Sequence, residues 1–283
     1  MIKVLKAGFY STIQDQGRFG HRHYGVPVSG VMDVYAGEFA NALLGNSKED
    51  AVLEMTMVGA ELQFTTLTII AITGANMQPE LNGKSIDLFK SIKVKPNDIL
   101  SFKSASNGFR TYMAVKGGFL TEMVLGSRSM AKGISKKIRL VKNDELEFEN
   151  TTDITSKNHA KLIPNASYLN ETVLEVTVGP EFDKLSIAQQ NMLFTEAFQV
   201  SKNNNRMAYQ LLPLLQNTLE PILTVPVLPG TVQLTPSGQL IVLMRDAQTT
   251  GGYPRILQLT ERSLNILSQK TTANGLKMRR SEL

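Results

Sequence analysis

The chain has 283 residues, 42% of them hydrophobic and 19% charged, with no cysteine and a formal net charge of +5. That apolar content excludes a disordered chain, and the lack of cysteine excludes a disulfide framework and thiolate chemistry. The basic excess is scattered, with short clusters only at residues 136–139 and 277–280 and no tryptophan, so no contiguous nucleic-acid face is expected.

No apolar run approaches the roughly 20 residues of a membrane helix, and the alternating start breaks at Gly8 without the apolar block of a signal peptide. A cytoplasmic protein without membrane or nucleic-acid partners is expected. The first helix is predicted over Val34–Leu44, opening after Asp33 as N-cap and ending at Gly45. Strands follow at residues 60–72, 85–94 and 99–103, the last two separated by the turn Lys95-Pro96-Asn97-Asp98. Residues 110–115 form another strand, ended by Gly117-Gly118, and residues 140–141 and 146–148 flank a turn. Residues 150–170 are polar, contain Pro164 and show no period, as a linker would. Beyond it come strands at Val173–Val178 and 239–244 and helices at 186–197 and 261–269, with Ser186 as a cap. The division reads as domains 1–155 and 165–283. Short strands with few helices point to barrels or sandwiches rather than a doubly wound sheet.

Two loops carry chemistry. The first is Thr12-Ile13-Gln14-Asp15-Gln16-Gly17-Arg18-Phe19-Gly20, continued by Gly25-Val26-Pro27-Val28-Ser29-Gly30-Val31-Met32-Asp33. Glycines there let backbone approach a ligand while Asp15, Arg18 and Ser29 supply polar groups. An ordinary glycine-rich connection with a surface ion pair is the competing reading. The second, Arg245-Asp246-Ala247-Gln248-Thr249-Thr250-Gly251-Gly252-Tyr253-Pro254-Arg255, can turn amides and hydroxyls toward an anion. It lacks the Gly-Lys-Ser/Thr of a phosphate loop, and a decorated hairpin is its alternative. Both loops are expected to line one cleft. Arg18 is expected to serve that cleft, with Arg18→Ala changing stability by under about 1 kcal/mol.

These stretches, with Ala40-Asn41, Gly45-Asn46, Leu53-Glu54, Gly126-Ser127-Arg128-Ser129, Gly179-Pro180 and Pro229-Gly230-Thr231-Val232-Gln233, resemble the biotin-dependent carboxyltransferase or KipA family. That family includes the C-type components of 5-oxoprolinases and the carboxyltransferase part of urea carboxylase, and the resemblance runs over nearly the whole chain. It implies a mainly β chain of two cyclophilin-like barrel modules with a few short helices. It also implies two protein partners, one KipI-like (the B-type component of a 5-oxoprolinase) and one LamB/YcsF-like (the A-type component), and a small-molecule substrate. Such an assembly cleaves 5-oxoproline to glutamate with ATP and Mg²⁺, through lactam activation and water attack. No cofactor is expected on this chain alone. Carried onto this sequence, the resemblance makes Asp15, Arg18 and Asp33 catalytic candidates. It makes Gln14, Ser29, Glu54, Arg128, Arg206, Gln233, Asp246, Gln248, Thr249, Thr250 and Tyr253 substrate-binding candidates.

The departures are local. The family's Ser-Asp-Arg-Met-Gly-x-Arg-Leu reads Asn204-Asn205-Arg206-Met207-Ala208-Tyr209-Gln210-Leu211, so a glycine and an arginine are replaced. A divergent substrate or weakened catalysis would follow. His21, His23 and the distant His159 make a poor metal set, and Leu276-Lys277-Met278 lacks the context for covalent biotin. Glu54, in an apolar run, needs a partner if buried. Rival functions are a KipA-like regulator that binds a KipI-like kinase inhibitor, and a carboxyltransferase acting on carboxybiotin.

Overall fold

In the strand Asn107–Val115, Met113 and Val115 enter one apolar cluster while Tyr112 and Ala114 enter another. That is the period-2 alternation of a strand buried on both faces. The computed structural model describes residues 1–149 and 162–281, so residues 150–161 of the expected linker lie outside the described residues. The chain divides into two compact units, residues 1–19 with 29–170 and residues 20–28 with 171–283. The described part of the expected linker, residues 162–170, belongs to the first unit, where Tyr168 and Leu169 are buried.

The first unit holds two antiparallel sheets. A five-stranded sheet runs Tyr10–Gln14, Val52–Thr56, Asn107–Val115, Thr68–Asn76, Ser91–Val94. A six-stranded sheet runs Glu145–Leu146, Ile2–Lys6, Glu61–Phe64, Ile99–Ser101, Glu80–Leu81, Lys84–Ser85. Ile2, Val4, Leu62 and Phe64 of one sheet share a core with Ile13, Leu53, Met55, Ile72 and Met113 of the other. The helix α1 (Val34–Leu44) sets Ala36, Ala40 and Leu44 against Val52, Ala71, Tyr112 and Ala114 on the far face of the five-stranded sheet.

Two sequence expectations change here. Residues 60–72 are two strands in different sheets, broken at Thr65-Thr66-Leu67, because the chain crosses from one layer to the other. Residues 85–94 are likewise split into Lys84–Ser85 and Ser91–Val94, with Phe89 between them at φ 59°. The turn at residues 95–98 is present, with Lys95 N–H bound to Asp98 Oδ2 at 2.7 Å.

The second unit closes a seven-stranded barrel: Val173–Val178, Arg255–Leu259, Thr231–Leu234, Leu240–Leu243, Ala208–Leu212, Phe198–Asn204, Gly275–Arg280. The first and last of these pair in parallel, which closes the ring and removes the open edges. Leu174 and Val176, and Tyr209 and Leu211, are the buried alternation of their strands, while Thr231–Leu234 is buried throughout. The chain is thus mainly β, with one closed barrel and one two-sheet unit.

Among the described residues, the three α-helices fall where capping chemistry puts them. Besides α1, they are α2 (Ile187–Thr195) and α3 (Glu261–Ser268), capped by Ser186 and Thr260. Ser186 and Gln189 form a full capping box, with Ser186 N–H donating to Gln189 Oε1 at 2.8 Å. Ser186→Ala should cost about 1 kcal/mol. Urea unfolding should show this as a lower midpoint at unchanged slope.

Candidate functional site

The first loop leaves the five-stranded sheet at Gln14, and its Gln14, Asp15 and Arg18 side chains turn back onto one stretch, residues 124–130, while Gln16 donates to Glu38 Oε1 and Lys48 O. Asp15 Oδ1 accepts from Gly17 N–H (2.8 Å), Ser127 Oγ (2.6 Å) and Ser129 Oγ (2.6 Å). Asp15 Oδ2 accepts from the Arg128 N–H at 2.6 Å. Gln14 Nε2 donates to Met130 O at 3.0 Å, and Arg18, only 1% exposed, donates to the carbonyls of Ser129 and Val124. Gln14, Asp15 and Arg18 are therefore brought together, and they position the loop that carries Arg128. Arg128 itself donates to Thr121 O and lines a cavity of about 270 Å³.

The loop's second half is pinned amide by amide. Val31 N–H bonds Asp15 O (2.9 Å), Met32 N–H bonds Glu54 Oε2 (2.8 Å), and Asp33 N–H bonds Tyr112 Oη (2.9 Å). Glu54 is fully buried with Arg110 Nε at 3.9 Å, the partner its burial required. Asp33 caps α1 through Ala36 N–H and accepts from Tyr168 Oη at 2.5 Å. Burial first, then the charges of Glu54 and Asp33, push the Tyr112 phenol well above its usual pKa, so it stays neutral.

Upstream of these anchors, Ser29 sits at φ 60°, a region that costs a non-glycine residue roughly 1–3 kcal/mol. Its Oγ is buried, at 2% residue exposure, and has no hydrogen-bond partner among the described residues. Gly30 follows at φ 92°, where a Cβ would meet the Gln16 carbonyl at 2.9 Å. Ser29 thus combines a strained backbone, held by the anchored amides that follow it, with a buried hydroxyl without a partner among the described residues.

In the second unit the structure gathers the other candidates. Arg206 and Asp246 form a two-pronged ion pair at 2.9 and 3.0 Å. Gln248 Nε2 donates to Gln233 Oε1 at 3.3 Å, while Gln233 Nε2, in a residue 1% exposed, has no partner among the described residues. That amide lies against Gly251, where a Cβ would stand 2.4 Å from it. Thr249 is buried; Thr250 and Tyr253 are exposed. Residues 20–28 of the first loop also belong to this unit, where Arg22 donates to the carbonyls of Val227 and Thr249. His21 and His23 flank that arginine, with the His23 ring 3.9 Å from that of Tyr24. A cavity of about 490 Å³ is lined by Glu181, Lys184, Leu219, Ile222, Leu223 and Val225, among others.

Sequence reading missed Ser127, Ser129, Tyr112, Tyr168 and Arg22. Each acts through a partner more than seventy residues away, so only the doubled serines around Arg128 gave a local signal. The stability expectation for Arg18 is also corrected. Its guanidinium is buried on backbone carbonyls, so Arg18→Ala costs about 1–3 kcal/mol rather than a fraction of one.

The family model for the carboxyltransferase domain, subdomains A and B, matches residues 24–280. The chain belongs to that family. It is 32% identical to the 5-oxoprolinase C subunit of Escherichia coli K12, over 95% of this chain and 87% of that protein. It is 31% identical to the Haemophilus influenzae protein of the same name, over 98% and 90%. Urea amidolyase of Lachancea kluyveri is 33% identical over 74% of this chain, which corresponds to 12% of the amidolyase. The crystal structure of TTHA0988 superimposes with a TM-score of 0.88 at 26% identity, covering 98% of this chain and 55% of that one. Urea amidolyase of K. lactis does so with 0.86 at 27% identity, covering 98% and 18%.

Two measurements test the carboxyltransferase-domain geometry. Asp15→Asn puts an amide donor where only acceptors serve, and should cost about 1–3 kcal/mol. Amide exchange should accelerate in residues 124–130; unchanged protection there would discard the clamp. The second concerns Glu181, whose carboxylate is held below its usual pKa by the hydrogen-bonded Arg255 guanidinium at 2.9 and 3.0 Å. Because the folded value lies below the unfolded one, this pair stabilises at neutral pH. Its contribution is lost as pH falls from the ordinary glutamate range through the depressed folded value. Thermal unfolding of Glu181→Gln should be less pH-dependent on that acid limb than that of the wild-type protein.

Proposed function

We propose that this chain is the C-type component of a multi-protein hydrolase that opens a cyclic amide, 5-oxoproline, to glutamate in a reaction coupled to ATP hydrolysis. The observation that carries this reading is the extent of the match. The chain corresponds to 87% and 90% of two 5-oxoprolinase C subunits but to 12% of a urea amidolyase, where the matching part is one module among others. The partners in this reading are a KipI-like protein in the B-type role and a LamB/YcsF-like protein in the A-type role. ATP and Mg²⁺ are handled by the assembled complex rather than by residues assigned here, and no biotin is attached.

The geometry supports a binding and polarising role for this chain. Ser29 Oγ is a shielded donor with no partner among the described residues, suited to an oxygen that gains negative charge as a lactam is activated. Asp15 and Arg18 act as positioning residues in this reading, since their bonds go to the 124–130 loop. Asp33 does the same for the 29–33 stretch through its cap and its bond to Tyr168. The unsatisfied Gln233 amide offers a second donor, in the barrel unit. A carboxyl-transfer reading is favoured by the family model and by 33% identity to an amidolyase over 229 residues.

ADP release separates these readings. The isolated chain should show no 5-oxoproline-dependent ADP release, and adding both partner proteins should produce it. If the chain instead decarboxylates carboxybiotin when given an acceptor, and never supports 5-oxoproline turnover, carboxyl transfer is the better reading. Ser29→Gly divides function from stability. Glycine relieves the φ 60° backbone and should leave stability unchanged or raise it by up to about 1 kcal/mol. The same change should cut turnover of the reconstituted complex by roughly 100-fold.

A further inference from the structure

The cavity of about 270 Å³ in the first unit has a floor of Met130, Leu140 and Leu146, all buried, with Leu120 beside them. Its polar lining is mixed: Thr121, Arg128, Ser135, Lys136 and Lys137 against Glu122, Glu145 and Glu147. Two of the three cations are already committed. Lys136 Nζ lies 3.1 Å from Glu122, and Lys137 Nζ lies 2.5 Å from Asp144. Arg128 has no acidic partner among the described residues; its side chain donates to the carbonyl of Thr121. Thr121 Oγ1, in the same wall, is shielded from solvent and has no hydrogen-bond partner among the described residues. The backbone that carries Arg128 is held on both sides by the Asp15 carboxylate, through Ser127 Oγ, Arg128 N–H and Ser129 Oγ.

We infer that this cavity binds a small monocarboxylate with a compact apolar body, its carboxylate on Arg128 and Thr121 and its body on the leucine and methionine floor. A guanidinium is the natural partner of a planar carboxylate. One uncommitted cation matches one negative charge, and the exposed carboxylates of Glu145 and Glu147 at the rim disfavour phosphates and dicarboxylates. Those same carboxylates can accept from an N–H on the ligand body. The apolar floor excludes fully polar ligands of the same charge.

The test is calorimetric titration of the intact isolated chain with three probes: cyclopentanecarboxylate, 5-oxoproline and uncharged 2-pyrrolidinone. Only the choice of 5-oxoproline rests on the proposed function. Saturable binding of cyclopentanecarboxylate, with 2-pyrrolidinone at least about tenfold weaker, is the expected result. Arg128→Ala should weaken binding by about tenfold or more, Arg128→Lys by less, and Thr121→Val should weaken it without touching the charge. Thermal unfolding of each variant checks that it remains folded. If cyclopentanecarboxylate binds but 5-oxoproline does not, the carboxylate site stands and the proposed substrate does not belong in it. If no carboxylate saturates the site, or if Arg128→Ala and Thr121→Val both bind as the wild type does, the inference is overturned.

Discussion

One carboxylate organises the first unit. Asp15 is nearly buried, and its charge is balanced by four donors: three from the 127–129 stretch and one from Gly17. A buried carboxylate is tolerable only when its lone pairs are filled in this way. Satisfying it forces two loops more than a hundred residues apart into contact and fixes which way Arg128 leaves the backbone. Arg18 and Gln14 add bonds to the carbonyls of Ser129 and Met130. The side chains of Gln14, Asp15 and Arg18 thus all bond to the 124–130 stretch of the chain itself.

The stretch after Gly30 shows the same economy at a different point. Glu54 and Tyr112 stand side by side on neighbouring strands, Val52–Thr56 and Asn107–Val115, as a directly registered pair. They receive consecutive amides, those of Met32 and Asp33. Because strand register sets the spacing of the two acceptors, it also sets the path of the loop. Ser29 is left in a left-handed conformation that its own preferences would not choose. Strain of this kind persists where surrounding bonds over-determine the backbone, and here those bonds are visible one by one.

The barrel unit solves a different problem. A sheet with free edges invites pairing with other chains, and closure through the parallel pair of Val173–Val178 and Gly275–Arg280 removes them. The Thr250–Gly251 strand pairs with Val225–Pro226 in a two-stranded sheet outside the barrel. Gly251 lies against the Gln233 amide, where a Cβ would stand 2.4 Å from Nε2 and push that side chain aside. That close approach accounts for the first glycine of the doublet, Gly251; Arg206 and Asp246 form their own two-pronged pair in the same unit.

The mainly β character, the helices near residues 34–44, 187–195 and 261–268 with the caps Asp33 and Ser186 of the first two, and the family were legible in the residues themselves. Each depends on patterns within a dozen positions: period-2 alternation, a capping hydroxyl or carboxylate, a glycine-rich motif. Candidate residues were legible as types, but their roles were not. Nothing local tells Asp15 that Ser127, Arg128 and Ser129 will occupy its oxygens, or Asp33 that Tyr168 will reach it from 135 positions away. Nor does sequence separate the strand Glu61–Phe64 from Thr68–Asn76 into different sheets, since nothing in the residues between them marks a change of layer. Local backbone preference is a short-range property and determined the elements. Burial and hydrogen-bond satisfaction are long-range properties, and only the packed chain decided which polar groups found partners.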